Sequence, residues 1–191
     1  MQVIVGVGKG NFTLNYRKRE VRNIEVKMDS KTKSVLIVED DQDIAETLSV
    51  ALQQLDYNVT ASVTNGVDAI SSVQTDEPDV ILMDIELFGD MDGVQATKEI
   101  LLICEVPVIY LTGRTDDETL DKVKKTNPYG YIVKPFEVTE LKVAIELALY
   151  KHDVEIGREK LITELQDIVA NVVRQYMGAE KLGPNGKNWF G

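Results

Sequence analysis

The sequence predicts an α/β fold organised on a parallel sheet of five strands. Two patterns predict it. Short apolar runs at residues 34–38, 80–83, 106–111 and 129–133 alternate with segments whose apolar residues recur every three or four positions. That is the rhythm of strand–helix–strand units. The run Val80-Ile81-Leu82-Met83 is also apolar without interruption, as in a strand buried on both faces. It ends abruptly in Asp84. The other runs end in polar groups as well: Glu39-Asp40-Asp41, Thr112 and Lys134-Pro135.

The elements follow in order. Residues 1–30 show no convincing period. Gly6, Gly8 and Gly10 around Lys9 suggest a phosphate loop only faintly, because that motif needs Ser or Thr after Gly-Lys and Gly10 stands there. Residues 1–27 are expected to be a dispensable extension ahead of Met28. The alternative is a small strand pair of Val3-Ile4-Val5 with Ile24-Glu25-Val26. After the first sheet strand, Asp41 is a fair cap for a helix over residues 42–55, with Ile44, Leu48, Ala51 and Leu55 on one face. Strand two covers residues 58–62, and Asn65-Gly66 breaks it. Ala69, Ile70 and Val73 then mark helix two. Pro78 marks the loop before the central strand. Asp92-Gly93 begins helix three, Pro107 opens strand four, and residues 116–125 form helix four. Asn127-Pro128 stops that helix before strand five. Right-handed crossovers give a doubly wound sheet of flavodoxin-like order 2-1-3-4-5.

The last helix continues from Thr139 to about Met177 without a proline. Leu147, Lys151, Val154, Arg158, Leu161, Leu165, Ile168, Val172 and Gln175 recur at alternating spacings of four and three, a heptad seam. Lys151 and Arg158 weaken it, and Gly157 permits a bend. The expected domains are an N-terminal extension (1–30), the α/β domain (31–150), a helical or coiled-coil extension (151–177) and a flexible tail (178–191). A second copy of the chain is the expected partner of the seam, giving a homodimer. The alternative is a helix folded back on its own domain.

Charge narrows the function classes. The net charge is −11 over 191 residues. Residues 31–150 hold 9 basic and 23 acidic side chains, while residues 1–30 carry +3 and residues 151–191 are neutral. An acidic centre argues against direct nucleic-acid binding, which needs a basic surface. Cys104 is the only cysteine, so no disulfide framework forms within one chain; it reads as a small buried hydrophobe. No apolar run reaches membrane-spanning length, and no membrane contact and a cytoplasmic location are expected.

Parallel strands converge at their carboxyl ends, where ligands bind in open α/β sheets. One edge then carries Glu39, Asp40, Asp84, Thr112 and Lys134. Carboxylates so clustered repel one another unless a cation sits among them, and oxygen ligands of this charge suit Mg²⁺.

The acidic pair Glu39-Asp40, the strand-end Asp84, Thr112 and the Lys134-Pro135 pair stand in an order that resembles the receiver domain of two-component response regulators. The resemblance covers residues 33–150. It implies that Asp84 accepts a phosphoryl group from a histidine kinase or phosphotransfer protein, with Mg²⁺ bound. Asp40, Asp84 and the backbone carbonyl of Glu86 would ligate the ion, and Glu39 would act mostly through water. Lys134 would pair with Asp84 and then with the phosphoryl oxygens, across a cis bond to Pro135. Thr112 would hydrogen-bond the phosphoryl group, and Tyr131 would be the aromatic switch whose ring turns inward. Glu86 and Arg114, two residues beyond Asp84 and Thr112, would tune hydrolysis. The domain would be no turnover enzyme, but a phosphoacceptor with self-catalysed transfer and autodephosphorylation.

Two departures from the pattern stand out. The loop from Glu86 to Gly93 is one residue longer than the common form and lacks its proline, and Gly113 replaces a small alanine or serine. Tyr110 and Tyr129 read as packing residues, and His152, the only histidine, as a surface residue. Three other readings remain: a receiver segment of a longer sensor or hybrid protein, a non-phosphorylated scaffold, and an aspartyl-phosphate phosphatase with Glu86 as its acid/base.

Overall fold

The computed structural model describes residues 2–7, 10–15, 32–113, 121 and 123–176; for residues 2–15 and 174–176 only the backbone is described. Residues 1–31 and 32–191 are separate compact units. In the first, β1 (Gln2–Val7) pairs antiparallel with β2 (Gly10–Asn15), from Gln2 opposite Asn15 to Val7 opposite Gly10. The strand pair is therefore present with a different partner: Val3-Ile4-Val5 meets Phe12-Thr13-Leu14. Ile24-Glu25-Val26 lies outside the described residues.

The second unit holds β3 (Ser34–Val38), α1 (Gln42–Gln54), β4 (Asn58–Val63), α2 (Gly66–Asp76), β5 (Val80–Asp84), α3 (Gly93–Leu101), β6 (Val108–Thr112), β7 (Gly130–Val133) and a last helix, α4 (Val138–Tyr176). The sheet is parallel throughout, in the order β4-β3-β5-β6-β7. Counted within this unit, that is the expected 2-1-3-4-5. The fourth helix predicted at residues 116–125 falls mostly outside the described residues; Asp121, Val123 and Lys124 are helical.

Side chains alternate across a strand with period two, and the core divides accordingly. Leu36, Val38, Ile81, Met83, Val108 and Tyr110 face α2 and α3. Val35, Ile37, Val80, Leu82, Ile109 and Leu111 face α1 and α4. All five residues of β5 are buried, which is why its sequence shows no polar alternation. In β4 the register shifts between the partners of Val35 and Leu36, an irregularity on one edge of the sheet. Cys104 is only half-buried, packed at the margin of the first layer rather than inside it.

The helix starts are chemically specified. Asp41 accepts from the N–H groups of Asp43 and Ile44 at the start of α1, and Asn65 accepts from Asp68 N–H at the start of α2. At α3 Asp92 and Gln95 form a reciprocal capping box. α3 begins hard against the end of the central strand. Gly93 N–H donates to Ile85 O at 3.1 Å. A Cβ at Gly93 would stand 1.8 Å from the Asp84 carbonyl oxygen, so only glycine permits this approach.

α4 leaves the domain near Tyr150. Its first turns contribute Leu141, Ile145 and Ala148 to the core. Residues 153–172 are all exposed, and the helix passes through Gly157 uninterrupted. The described part of the seam does not fold back on its own domain: Leu161, Leu165, Ile168 and Val172 are each about half exposed.

Gly93→Ala tests the approach of α3 to β5. Alanine is the better helix former, so propensity alone predicts stabilisation. The contact with Asp84 predicts the opposite, a loss of about 1–3 kcal/mol from overpacking, read as a lower midpoint in urea unfolding.

Candidate functional site: an acidic pocket at the strand ends

Four of the five strands, β3, β5, β6 and β7, deliver polar groups to the same edge. Glu39 and Asp40 follow β3, and Glu39 N–H donates to Val63 O of β4 at 3.0 Å. Asp84 ends β5, and Thr112 ends β6. Lys134 follows β7, its N–H donating to Thr112 O at 2.8 Å, and its bond to Pro135 is cis. The carboxylates of Glu39 and Asp84 are buried, as is Thr112.

The Lys134 ammonium joins the carboxylates. It donates to Glu39 Oε2 at 2.6 Å and to Asp84 Oδ2 at 3.0 Å. Asp84 Oδ1 accepts the Glu86 N–H at 3.2 Å, and Asp40 Oδ2 accepts the Phe88 N–H at 3.1 Å. The loop after β5 therefore orients two carboxylates through its backbone. Its side chains gave no sign of this in the sequence, although its position after a strand-end Asp did.

Beyond its expected place among the carboxylates, Glu39 contacts Lys134 directly. Burial, first, and repulsion from Asp84 push its pKa up to about 7 from an ordinary 4.5, against the opposing hydrogen bond from Lys134. Burial works against the Lys134 charge, but the hydrogen bonds to Glu39 and Asp84 outweigh it and raise that pKa.

One oxygen from each of Glu39, Asp40 and Asp84 lies within 4.8 Å of the others. Among the described residues, three carboxylates face one ammonium, a surplus of two negative charges when all are ionised. A divalent cation fits that surplus and an all-oxygen donor set. Tyr131 lies on β7 with its ring outward, 59% exposed. Arg114 lies outside the described residues, so its relation to Glu86 does too.

Two residues read as inert have contacts. The Tyr129 hydroxyl meets His152 Nδ1 at 3.2 Å and donates to Glu155 Oε2, so Tyr129 does more than pack and His152 is half-buried. Tyr110 is a packing residue, with its hydroxyl 3.0 Å from Thr126 Oγ1 in the core.

The model of the response regulator receiver domain matches residues 35–146. The chain belongs to that family, the receivers of two-component systems. The transcriptional regulatory protein KdpE of Staphylococcus aureus is 37% identical over 113 residues, 59% of this chain and 48% of that protein. The DNA-binding response regulator MtrA of Mycobacterium tuberculosis is 29% identical over 147 residues, 76% of this chain and 64% of that protein. The chain thus spans about half to just under two thirds of the length of these relatives. Among solved structures, the receiver domain of a sensor histidine kinase from Pseudomonas aeruginosa is 29% identical, with a TM-score of 0.58 over 62% of this chain and 98% of that one. That structure has a magnesium ion coordinated in its active-site cleft.

The relatives correct one expectation. Direct nucleic-acid binding was excluded on the acidity of residues 31–150, yet the matched relatives are transcriptional regulators and MtrA is DNA-binding. The charge of a receiver reports on its own surface and acidic pocket, not on the output of the regulator that carries it. Among the described residues, no helix is long and apolar enough to cross a membrane.

The Glu39 environment predicts a pH effect in metal-free protein. A carboxylate whose folded pKa lies above its unfolded value binds more protons when folded, so stability falls as pH rises between the two. Here the window runs from about 4.5 to about 7. From pH 5 to pH 8, wild type should lose stability relative to Glu39→Gln in parallel thermal melts. A difference constant with pH would show that Glu39 is not held protonated.

Proposed function

We propose that this chain is a phosphoacceptor switch. A histidine kinase or phosphotransfer protein would hand its phosphoryl group to Asp84, with Mg²⁺ held by Glu39, Asp40, Asp84 and the Glu86 carbonyl. The supporting observation is a buried strand-end carboxylate held 3.0 Å from a lysine ammonium and flanked by two further carboxylates.

Carboxylate and phosphoryl group are both anionic, so positioning and charge neutralisation supply most of the catalysis. Mg²⁺, when bound by these carboxylates, would supply charge neutralisation. Lys134 fixes Asp84 Oδ2 and the Glu86 N–H fixes Oδ1, which aims the carboxylate outward along the strand. An Asp84 oxygen forms the new bond to phosphorus, and the donor's phosphorus–nitrogen bond breaks. Lys134 then follows the charge onto the phosphoryl oxygens as a point charge. Thr112 donates to a phosphoryl oxygen, and Tyr131 turns inward behind it, a two-state packing biased by one new charge. Water later cleaves the acyl phosphate, at a rate set by Glu86 and Arg114. The chemistry is stoichiometric signalling rather than turnover. By likeness to the relatives, the signal feeds transcriptional control.

Incubation with Mg²⁺ and a small acyl or amido phosphodonor should add one phosphate per chain, seen by mass spectrometry. Asp84→Asn should abolish it. Phosphate retained on that variant, or release of inorganic phosphate from monoesters far beyond one equivalent, would overturn the reading.

For residues 151–177 we propose a coiled coil. The seam repeats every three and a half residues on average, a period that another helix can cover only by supercoiling with it. Lys151 and Arg158 on the seam confine tight pairing to the part after Gly157. Light scattering on the whole chain should give a multiple of 21.4 kDa, and Leu165→Glu with Ile168→Glu should return it to one. A monomeric wild type at tens of micromolar would reject the coiled coil.

A further inference from the structure

We propose that Tyr129 is a coupling joint that sets the direction of the helical extension and carries movement of β7 into it. The second half of this statement rests on the phosphoacceptor reading; the first does not.

Tyr129 stands immediately before β7, and its backbone is tied to the sheet: its N–H donates to Val108 O at 3.0 Å. Its side chain leaves the sheet and meets α4 beyond the last core residue of that helix, Ala148. Three side chains of the extension converge there. The Tyr129 hydroxyl lies against His152 Nδ1 at 3.2 Å and against the Glu155 carboxylate, and Lys151 Nζ approaches the Tyr129 carbonyl at 3.4 Å. The Tyr129 and His152 rings meet edge to face, with centroids 5.6 Å apart and planes at 79°.

The polarity of the contact can be assigned. Burial, then the hydrogen bond to Glu155, raise the phenol pKa, so the hydroxyl keeps its one proton. A carboxylate only accepts; the proton therefore goes to Glu155. The Tyr129 oxygen then accepts from His152, whose Nδ1 must carry the hydrogen. The joint is a directed chain of two hydrogen bonds, His152 to Tyr129 to Glu155.

Position makes this contact mechanical. Tyr129 adjoins the first residue of β7 and Tyr131 is the second, so a displacement of the strand moves both. His152 and Glu155 lie three apart on a face of α4 turned away from Leu161, Leu165 and Ile168. Lys151 alone belongs both to the joint and to the seam, and it lies ahead of Gly157, so the joint and the paired part of the seam can be engaged together. From His152 to Val172 the helix rises roughly 30 Å at about 1.5 Å per residue. A small shift at the hydroxyl becomes a larger one at the far end of the lever. The contact is polar and half-buried, so it can be remade without opening the core.

The test uses the whole chain in a Cys104→Ser background, with spin labels at the exposed positions Glu46→Cys and Lys160→Cys, diluted with unlabelled protein. Distances are read by pulsed dipolar spectroscopy. Without any phosphodonor, the parent should give one narrow distribution. Tyr129→Phe, which removes only the hydroxyl, should at least double its width, and Glu155→Ala should do the same from the other side of the contact. An unchanged width in both variants overturns the joint. With Mg²⁺ and the phosphodonor, the parent distribution should shift, whereas Tyr129→Phe should take up phosphate equally and shift less than half as far. An equal shift in that variant overturns the coupling. Failure of the parent to take up phosphate counts against the phosphoacceptor reading alone, and the joint is then decided by the first comparison.

Discussion

The ammonium of Lys134 is the constraint on which the rest of this receiver depends. Parallel strands bring Glu39, Asp40 and Asp84 to one edge whatever else the sequence does, and burying carboxylates side by side is costly. Lys134 touches two of the three. It comes from the far side of β6, so the charge balance of the pocket is also a tie between β3, β5 and β7. The partial compensation matters chemically. Among the described residues, one cation against three carboxylates holds the pocket together without neutralising it.

The backbone does much of the remaining positioning. Amide N–H groups of Glu86 and Phe88 orient Asp84 and Asp40, and Gly93 lets α3 start against the Asp84 carbonyl. These interactions depend on where the chain runs and not on which side chains it carries. The long loop without a proline still delivers both donors, so its extra residue does not empty the pocket of contacts.

The sheet and the pocket were legible because their signals are local. An uninterrupted apolar run denotes a strand covered on both sides, and the residue that ends it is thereby placed on the edge. Glu39, Asp40, Asp84, Thr112 and Lys134 all followed from that rule. What was missed was relational. Apolar triplets in residues 1–30 fix neither partner nor register, so β1 was given the wrong partner. Tyr129 and His152 are 23 residues apart, and their contact exists only because α4 leaves the sheet at one particular angle. The acidity of residues 31–150 was read correctly as charge and wrongly as a statement about nucleic acid, because it describes one domain's surface.

The two edges of the sheet bear on how the protein keeps its strands to itself. A sheet edge is a template for a further strand, and a long, flat one invites the same segment of another molecule. Here one edge, β7, offers only four residues, and the other, β4, sits beside a break in register. An intruding strand would run out of partners on the first and lose alignment part-way along the second. Neighbouring copies of the chain can therefore lie edge to edge without merging their sheets.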